Sequence, residues 1–282
     1  MLRCTIQELK KNFYPPYILV PVLGTLCLCL TAQGDTGGMG ERIPVFSLIL
    51  NNNVTETGEQ ITKSVLYLWK EGLGNWLQLF APLLLTSGYI AQLSDERQSG
   101  QVQFQLLRSG NFRYCVSKIL SGALTGGILL TAGYALYGIL LSFFFPPFTG
   151  FDFDQQSYYL ELYFENSVYL YTVRRLTGVF LYGMFVSVYG TGVAVLFRDK
   201  YMLVCLPFLL NYIYEQMLHK LIIDDLAQGA ESVEWIEAFY PVSVSRLSFD
   251  RYQAVSVLLM LFLYAVITVL FYFSVKRGNY GA

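Results

Sequence analysis

Apolar residues gather along this chain into six long runs separated by polar segments. The runs cover about 17–31, 76–94, 117–145, 168–197, 201–223 and 253–275. A helix needs about 20 residues to cross a bilayer, so each run predicts a membrane span. The first is short and begins after Pro15 and Pro16; the third is long enough to tilt or project. Ahead of the first run, Leu2, Ile6, Leu9 and Phe13 fall at helical spacing on one face, with Arg3, Lys10 and Lys11 elsewhere. That pattern predicts an amphipathic helix over 1–14, lying on the membrane surface. The basic start, the apolar run and Thr31-Ala32-Gln33 also have the outline of a secretory signal peptide. The amphipathic pattern favours the surface helix.

Composition agrees with the spans. Hydrophobic residues make up 54% of the 282 residues, charged residues 14%, and mean hydropathy is +0.45. Soluble domains carry roughly 25% charged residues, too many to match this chain. An even number of spans puts both termini on one side. Eleven of the 19 basic residues lie on that side: Arg3, Lys10, Lys11, Arg97, Arg108, Arg113, Lys118, Arg198, Lys200, Lys276 and Arg277. They occupy far less chain than the other eight, so the positive-inside rule places both termini in the cytosol. The segments 32–75, 146–167 and 224–252 are then external, and Asn53-Val54-Thr55 among them has the form of a glycosylation sequon.

Several chemistries are disfavoured. Net charge is −1, which offers no basic surface for nucleic acid. The five cysteines (Cys4, Cys27, Cys29, Cys115 and Cys205) fall in spans or on the cytosolic side, which argues against an external disulfide framework. With His219 the single histidine, neither a histidine-rich metal site nor a Ser-His hydrolase has its residues. No GxxxxGK[ST] phosphate loop occurs, so no ATPase site of that kind is expected in this chain.

The most informative stretch lies between the second and third spans, from Ser94 to Lys118. Ser94 is suited to cap a helix, and Asp95 and Glu96 suit a positive helix end. Gly100 is placed to break it, a short helix follows over 101–108, and Gly110 is placed to stop that one. Val102, Leu106 and Leu107 are expected on one side, an apolar face to press into a partner. A basic loop against anionic lipid is the plainer alternative, but the mixture of Asp, Glu, Arg, Gly and Leu suits a protein contact better.

The run Glu96-Arg97-x-x-Gly100, the Leu-rich helix, then Arg108-Ser109-Gly110, Phe112 and Lys118 resembles the corresponding loop of type-2 ABC transporter permeases. The layout of nearly the whole chain is similar, including Ile236-Glu237-Ala238-Phe239-Tyr240-Pro241 between the last two spans. The resemblance implies one all-α transmembrane domain over 1–282. It would have six transmembrane helices, an N-terminal interfacial helix, a cytosolic coupling helix between spans two and three, and short external helices between spans five and six. It implies that Glu96, Arg97, Gly100, Val102, Leu106, Leu107 and Arg108 couple to a separate ABC ATPase subunit, which would bind ATP and Mg. This chain would hold no cofactor of its own. A second permease copy or paralogue completes such a unit, in the cell membrane; a half-unit without a fused ATPase suits a bacterial inner membrane. The implied function is export of an amphipathic or hydrophobic substrate: a lipid, drug-like metabolite or peptide. An ion- or proton-coupled secondary transporter or channel is the alternative.

Span five carries Asn211, Glu215 and His219 at i, i+4 and i+8, on one helix face. At ~1.5 Å per residue from Tyr201, Glu215 lies ~21 Å into a ~30 Å hydrocarbon core. An ionisable group there costs a few kcal/mol if it faces lipid. Two readings satisfy that cost: a polar stripe lining a translocation path, or a carboxylate satisfied by a neighbour such as Arg174 or Arg175. Gly122-x-x-x-Gly126 and the small residues Gly183, Ser187, Gly190, Thr191 and Gly192 predict close helix packing. Tyr182, Phe185 and Tyr189 suit either a cavity wall or the core, and the core is the commoner use.

Overall fold

A computed structural model describes residues 2–13, 15–35, 42–51, 65–145, 168–197, 199–227, 236, 239–245 and 251–277. The sequon at 53–55, the segment 146–167, Arg198, residues 237–238 and most of 224–252 lie outside them. Helix α1 (Leu2–Asn12) leads to α2 (Pro15–Leu30). Strands β1 (Gln33–Asp35) and β2 (Arg42–Pro44) pair antiparallel, Gly34 opposite Ile43. Short helices α3 (Val45–Asn51) and α4 (Val65–Glu71) follow. Then come α5 (Asn75–Gln98), α6 (Gln101–Ser109), α7 (Asn111–Phe144), α8 (Val168–Leu196), α9 (Lys200–Ala227), a 3-10 turn (Pro241–Ser245) and α10 (Arg251–Lys276).

The chain is thus mostly α-helical, as the hydrophobic periodicity requires. A helix occupies each of the six apolar runs. Three of them are long and apolar enough to cross a membrane: Asn111–Phe144, Tyr169–Ala194 and Ala254–Lys276. Six spans were expected; among the described residues the other three helices carry shorter or interrupted apolar stretches. At ~1.5 Å per residue, α2 is only ~24 Å long, under the ~30 Å of a hydrocarbon core. In α5 the described apolar stretch is Trp76–Ser87, and Asp95, Glu96 and Arg97 follow in the last turns of the helix. In α9 the apolar run is broken by Asn211, Glu215, His219 and Lys220.

The longest helix, α7, is the hub, packing against α1, α2, α4, α5, α6, α8 and α10. Its closest neighbour is α8, and glycine makes that approach possible. A Cβ on Gly183 would stand 2.8 Å from the Gly126 carbonyl oxygen, and one on Gly126 would stand 2.7 Å from the Ser187 Cβ. The small-residue pattern is therefore used for packing within the chain. Tyr182 and Phe185 are buried in the same layer, so they are core.

At the far end of α7, α4 is locked down by two aromatic side chains. Trp69 Nε1 donates to the Tyr134 carbonyl (3.1 Å), the Tyr134 hydroxyl donates to the Trp69 carbonyl, and the rings stack. Arg175 completes the joint by donating to the Tyr134 hydroxyl (3.3 Å) and the Lys70 carbonyl (3.0 Å). The 3-10 turn lies against α8, where a Cβ on Gly178 would meet the Ser245 carbonyl oxygen at 2.1 Å.

Candidate functional site

Two regions gather the residues singled out by the sequence. The first is the loop between α5 and α7. Ser94, Asp95 and Glu96 do not open a helix there, contrary to expectation. They lie in the last turns of α5, which continues from the membrane run without a break. Acidic groups at a helix C-terminus face exposed carbonyls, an unfavourable arrangement. Here lysines offset it. Lys118 of α7 donates to Glu96 and to Glu8 of α1, and Lys11 lies 3.4 Å from both carboxylates. Lys118 and Glu96 are nearly buried, so the four charges bind α1, α5 and α7 into one unit. Asn12 adds a hydrogen bond to Thr125 Oγ1 at 3.1 Å.

Helix α1 also presents itself differently from its apolar pattern. Its polar residues Thr5, Glu8 and Asn12 turn toward the bundle, while Ile6 is exposed. Both faces are used: one reaches the charged network, the other is free to meet lipid.

Gly100 takes up a left-handed conformation (φ 71°) and ends α5, as expected; Gly110 at φ 77° separates α6 from α7. Between them α6 has two unlike faces. Val102 is 1% exposed and packs with Leu106 against Tyr114, Cys115, Ile119, Phe271 and Val275. Leu107 is 87% exposed and Phe104 77%. Gln103 and Arg108 share that outer face. The expected grouping of Val102, Leu106 and Leu107 is therefore corrected. The first two are consumed by the chain's own core, and the exposed apolar residues are Leu107, as named above, and Phe104, which is new. Arg97 is engaged as well: its Nη1 donates to the carbonyls of Ala194 (2.8 Å) and Phe197 (2.9 Å), capping the C-terminus of α8.

The second region lies where α9 packs on α5. Asn211 Nδ2 donates to Glu215 Oε1 at 3.0 Å, one turn along α9. Gln78 Nε2 of α5 donates to the same oxygen at 3.2 Å. Tyr182 of α8 donates to the Gln78 carbonyl at 3.3 Å. Gln78 was not foreseen; its one signal was an amide within the apolar run 76–94. His219 is exposed and takes no part in this set. Arg174 and Arg175 are not the partners of Glu215 either: its hydrogen bonds among the described residues come from the two amides.

No group of three or more metal-ligating side chains occurs among the described residues. Neither a family model nor a curated protein nor a solved structure matches the chain. The architecture is mostly α-helical with three candidate membrane-spanning helices, consistent with a multi-pass membrane protein and compatible with a transport-related function in general.

Proposed function

We propose that this chain is the membrane-spanning subunit of an ATP-driven ABC exporter, with six spans and both termini cytosolic. Its cargo is amphipathic or hydrophobic, and a separate ABC ATPase subunit supplies the energy. A second permease, identical or paralogous, completes the unit in the cell membrane. One observation carries this proposal. A nine-residue helix, α6, lies between two membrane-run helices on the side where basic residues gather, anchored by one face and bare on the other.

That arrangement suits force transmission. Val102 and Leu106 fix α6 to α7 and α10, so a push on Phe104 and Leu107 is carried into two long helices. The Glu8–Lys118–Glu96–Lys11 network makes α1 and α5 move with α7. Closure of two ATPase subunits against α6 would tilt these helices and open a path to the other side. The resemblance of residues 96–118 to type-2 ABC permeases supports the same assignment.

The polar set Gln78–Asn211–Glu215 favours a second possibility, an ion- or proton-coupled carrier, because a carboxylate at membrane depth is costly unless it is used or paired.

Co-purification separates the two. Expressed with the proteins encoded beside it and purified in detergent, the chain is expected to retain an ATPase subunit and show ATP hydrolysis. Leu107→Asp is expected to lose both while the chain itself stays monodisperse. Purification of the wild-type chain alone, with no ATPase bound, would favour the carrier.

A further inference from the structure

The hydrogen-bond inventory around Glu215 does not close. Asn211 and Gln78 both spend an amide donor on one carboxylate oxygen, Oε1. The second oxygen, Oε2, takes no hydrogen bond from a described residue. Asn211 is 0% exposed, yet its Oδ1 has no partner among the described residues. A buried amide carbonyl left unpaired is unfavourable. Both open positions are acceptors, so the group that fills them must donate hydrogen bonds.

Charge and surroundings narrow the choice. Among the described residues no lysine, arginine or histidine is bonded to Glu215, so there the carboxylate meets only neutral amides. Tyr182 donates to the backbone carbonyl of Gln78, whose side chain reaches Glu215, and on the same helix the Phe185 ring meets Tyr189 edge-on at 5.7 Å. Phe80 of α5 stacks on Phe208 of α9 across the same helix pair at 5.2 Å. Aromatic faces attract cations, most strongly where water is excluded. One carboxylate and one amide oxygen are too few for calcium or magnesium, which take six or more oxygens. Glu215 is only half-buried and its neighbour Met217 is exposed, so the site has an approach from the surface of α9.

We propose that Glu215 and Asn211 bind the primary ammonium group of an amphipathic molecule, oriented by Gln78. The ammonium has three donors and no acceptor, one positive charge to match Glu215, and an apolar chain that remains outside among lipid-facing residues. The site's existence does not depend on the exporter assignment; only the step from bound amine to exported cargo rests on it.

The test uses the full chain, purified without any ATPase in a maltoside detergent. A hydrophobic carbodiimide activates membrane carboxylates, which end as the N-acylurea or, with an amine present, as the amide; peptide mass mapping reads the rate at which the unmodified Glu215 peptide disappears into both products. Dodecylammonium is expected to slow labelling about tenfold at a concentration where dodecanol leaves it nearly unchanged. In direct binding, Glu215→Gln is expected to lose the preference for amine over alcohol. Equal protection by amine and alcohol, or none by either, overturns the site without recourse to any variant. Phosphatidylethanolamine then distinguishes the source. Protection by it assigns the site to a lipid headgroup; protection by dodecylammonium alone assigns it to a smaller cargo. Protection with no ATPase ever captured would remove the exporter assignment and leave the site standing.

Discussion

Lys118 of α7 pairs with Glu96 of α5, closing a 22-residue span of sequence that holds α6 between them. The loop is therefore tied at its base, and Glu8 of α1 shares the same ammonium. Removing Lys118 would leave two nearly buried carboxylates with only the more exposed Lys11 beside them; breaking a buried pair from one side costs up to about 3–5 kcal/mol. Lys118→Met is expected to lower the thermal midpoint in detergent sharply, and Glu96→Gln in the same chain to restore part of it. Equal, small effects from Lys118→Met and Lys11→Met would contradict a buried role for Lys118.

Lys11 gives the network a pH signature. Partial burial opposes its charge, but Glu96 and then Glu8 outweigh that and hold its pKa above the ordinary 10.5. A group raised on folding contributes stability that is whole below its unfolded pKa and lost as pH rises through its folded one. Wild-type protein is therefore expected to lose more stability than Lys11→Met as pH climbs above about 10.5. Parallel alkaline melting curves for the two would count against this contact.

Two glycines should fail for different reasons. Gly100 has open space around its missing Cβ but a left-handed backbone, so Gly100→Ala is expected to cost only about 1–2 kcal/mol. Gly183 has no such strain but no room: its Cβ would press on the Gly126 carbonyl and the Gly127 Cα. Overpacking of that kind costs about 1–3 kcal/mol and spreads α7 from α8. Distance measurements between spin labels on these helices should lengthen in Gly183→Ala and stay fixed in Gly100→Ala.

The two faces of α6 should separate stability from coupling. Val102→Ala removes buried methyls and is expected to cost about 1.5–3 kcal/mol. Leu107→Ala leaves a surface position, where changes usually stay within about 0.5 kcal/mol. Thermal unfolding of the isolated chain checks both; an equal loss from each would mean that Leu107 is covered by the chain itself.

The helices were legible because apolar runs and glycine stops are local. Gly100 and Gly110 announced both ends of α6 from sequence alone. Faces were harder to read. Leu106 and Leu107 are adjacent in sequence but about 100° apart around a helix, so only one could join Val102. Ser94 looked like a cap because serine and acidic residues open many helices. The run before it was already helical, and Lys118 and Lys11 offset the misplaced charges. Partners distant in sequence left no trace: Gln78 reaches Glu215 over 137 residues. Arg175, which looked like a candidate for Glu215, was instead drawn to Tyr134 and the α4 carbonyl end.

The claim that α6 receives force from an ATPase is tested most directly by photo-crosslinking within the assembled complex. A crosslinker at position 107 is expected to capture the ATPase subunit, with a yield that changes when ATP is added. The same group at position 102, buried against Tyr114 and Phe271, is expected to capture only this chain. Crosslinks from 107 that reach lipid alone, with or without ATP, would contradict coupling through α6.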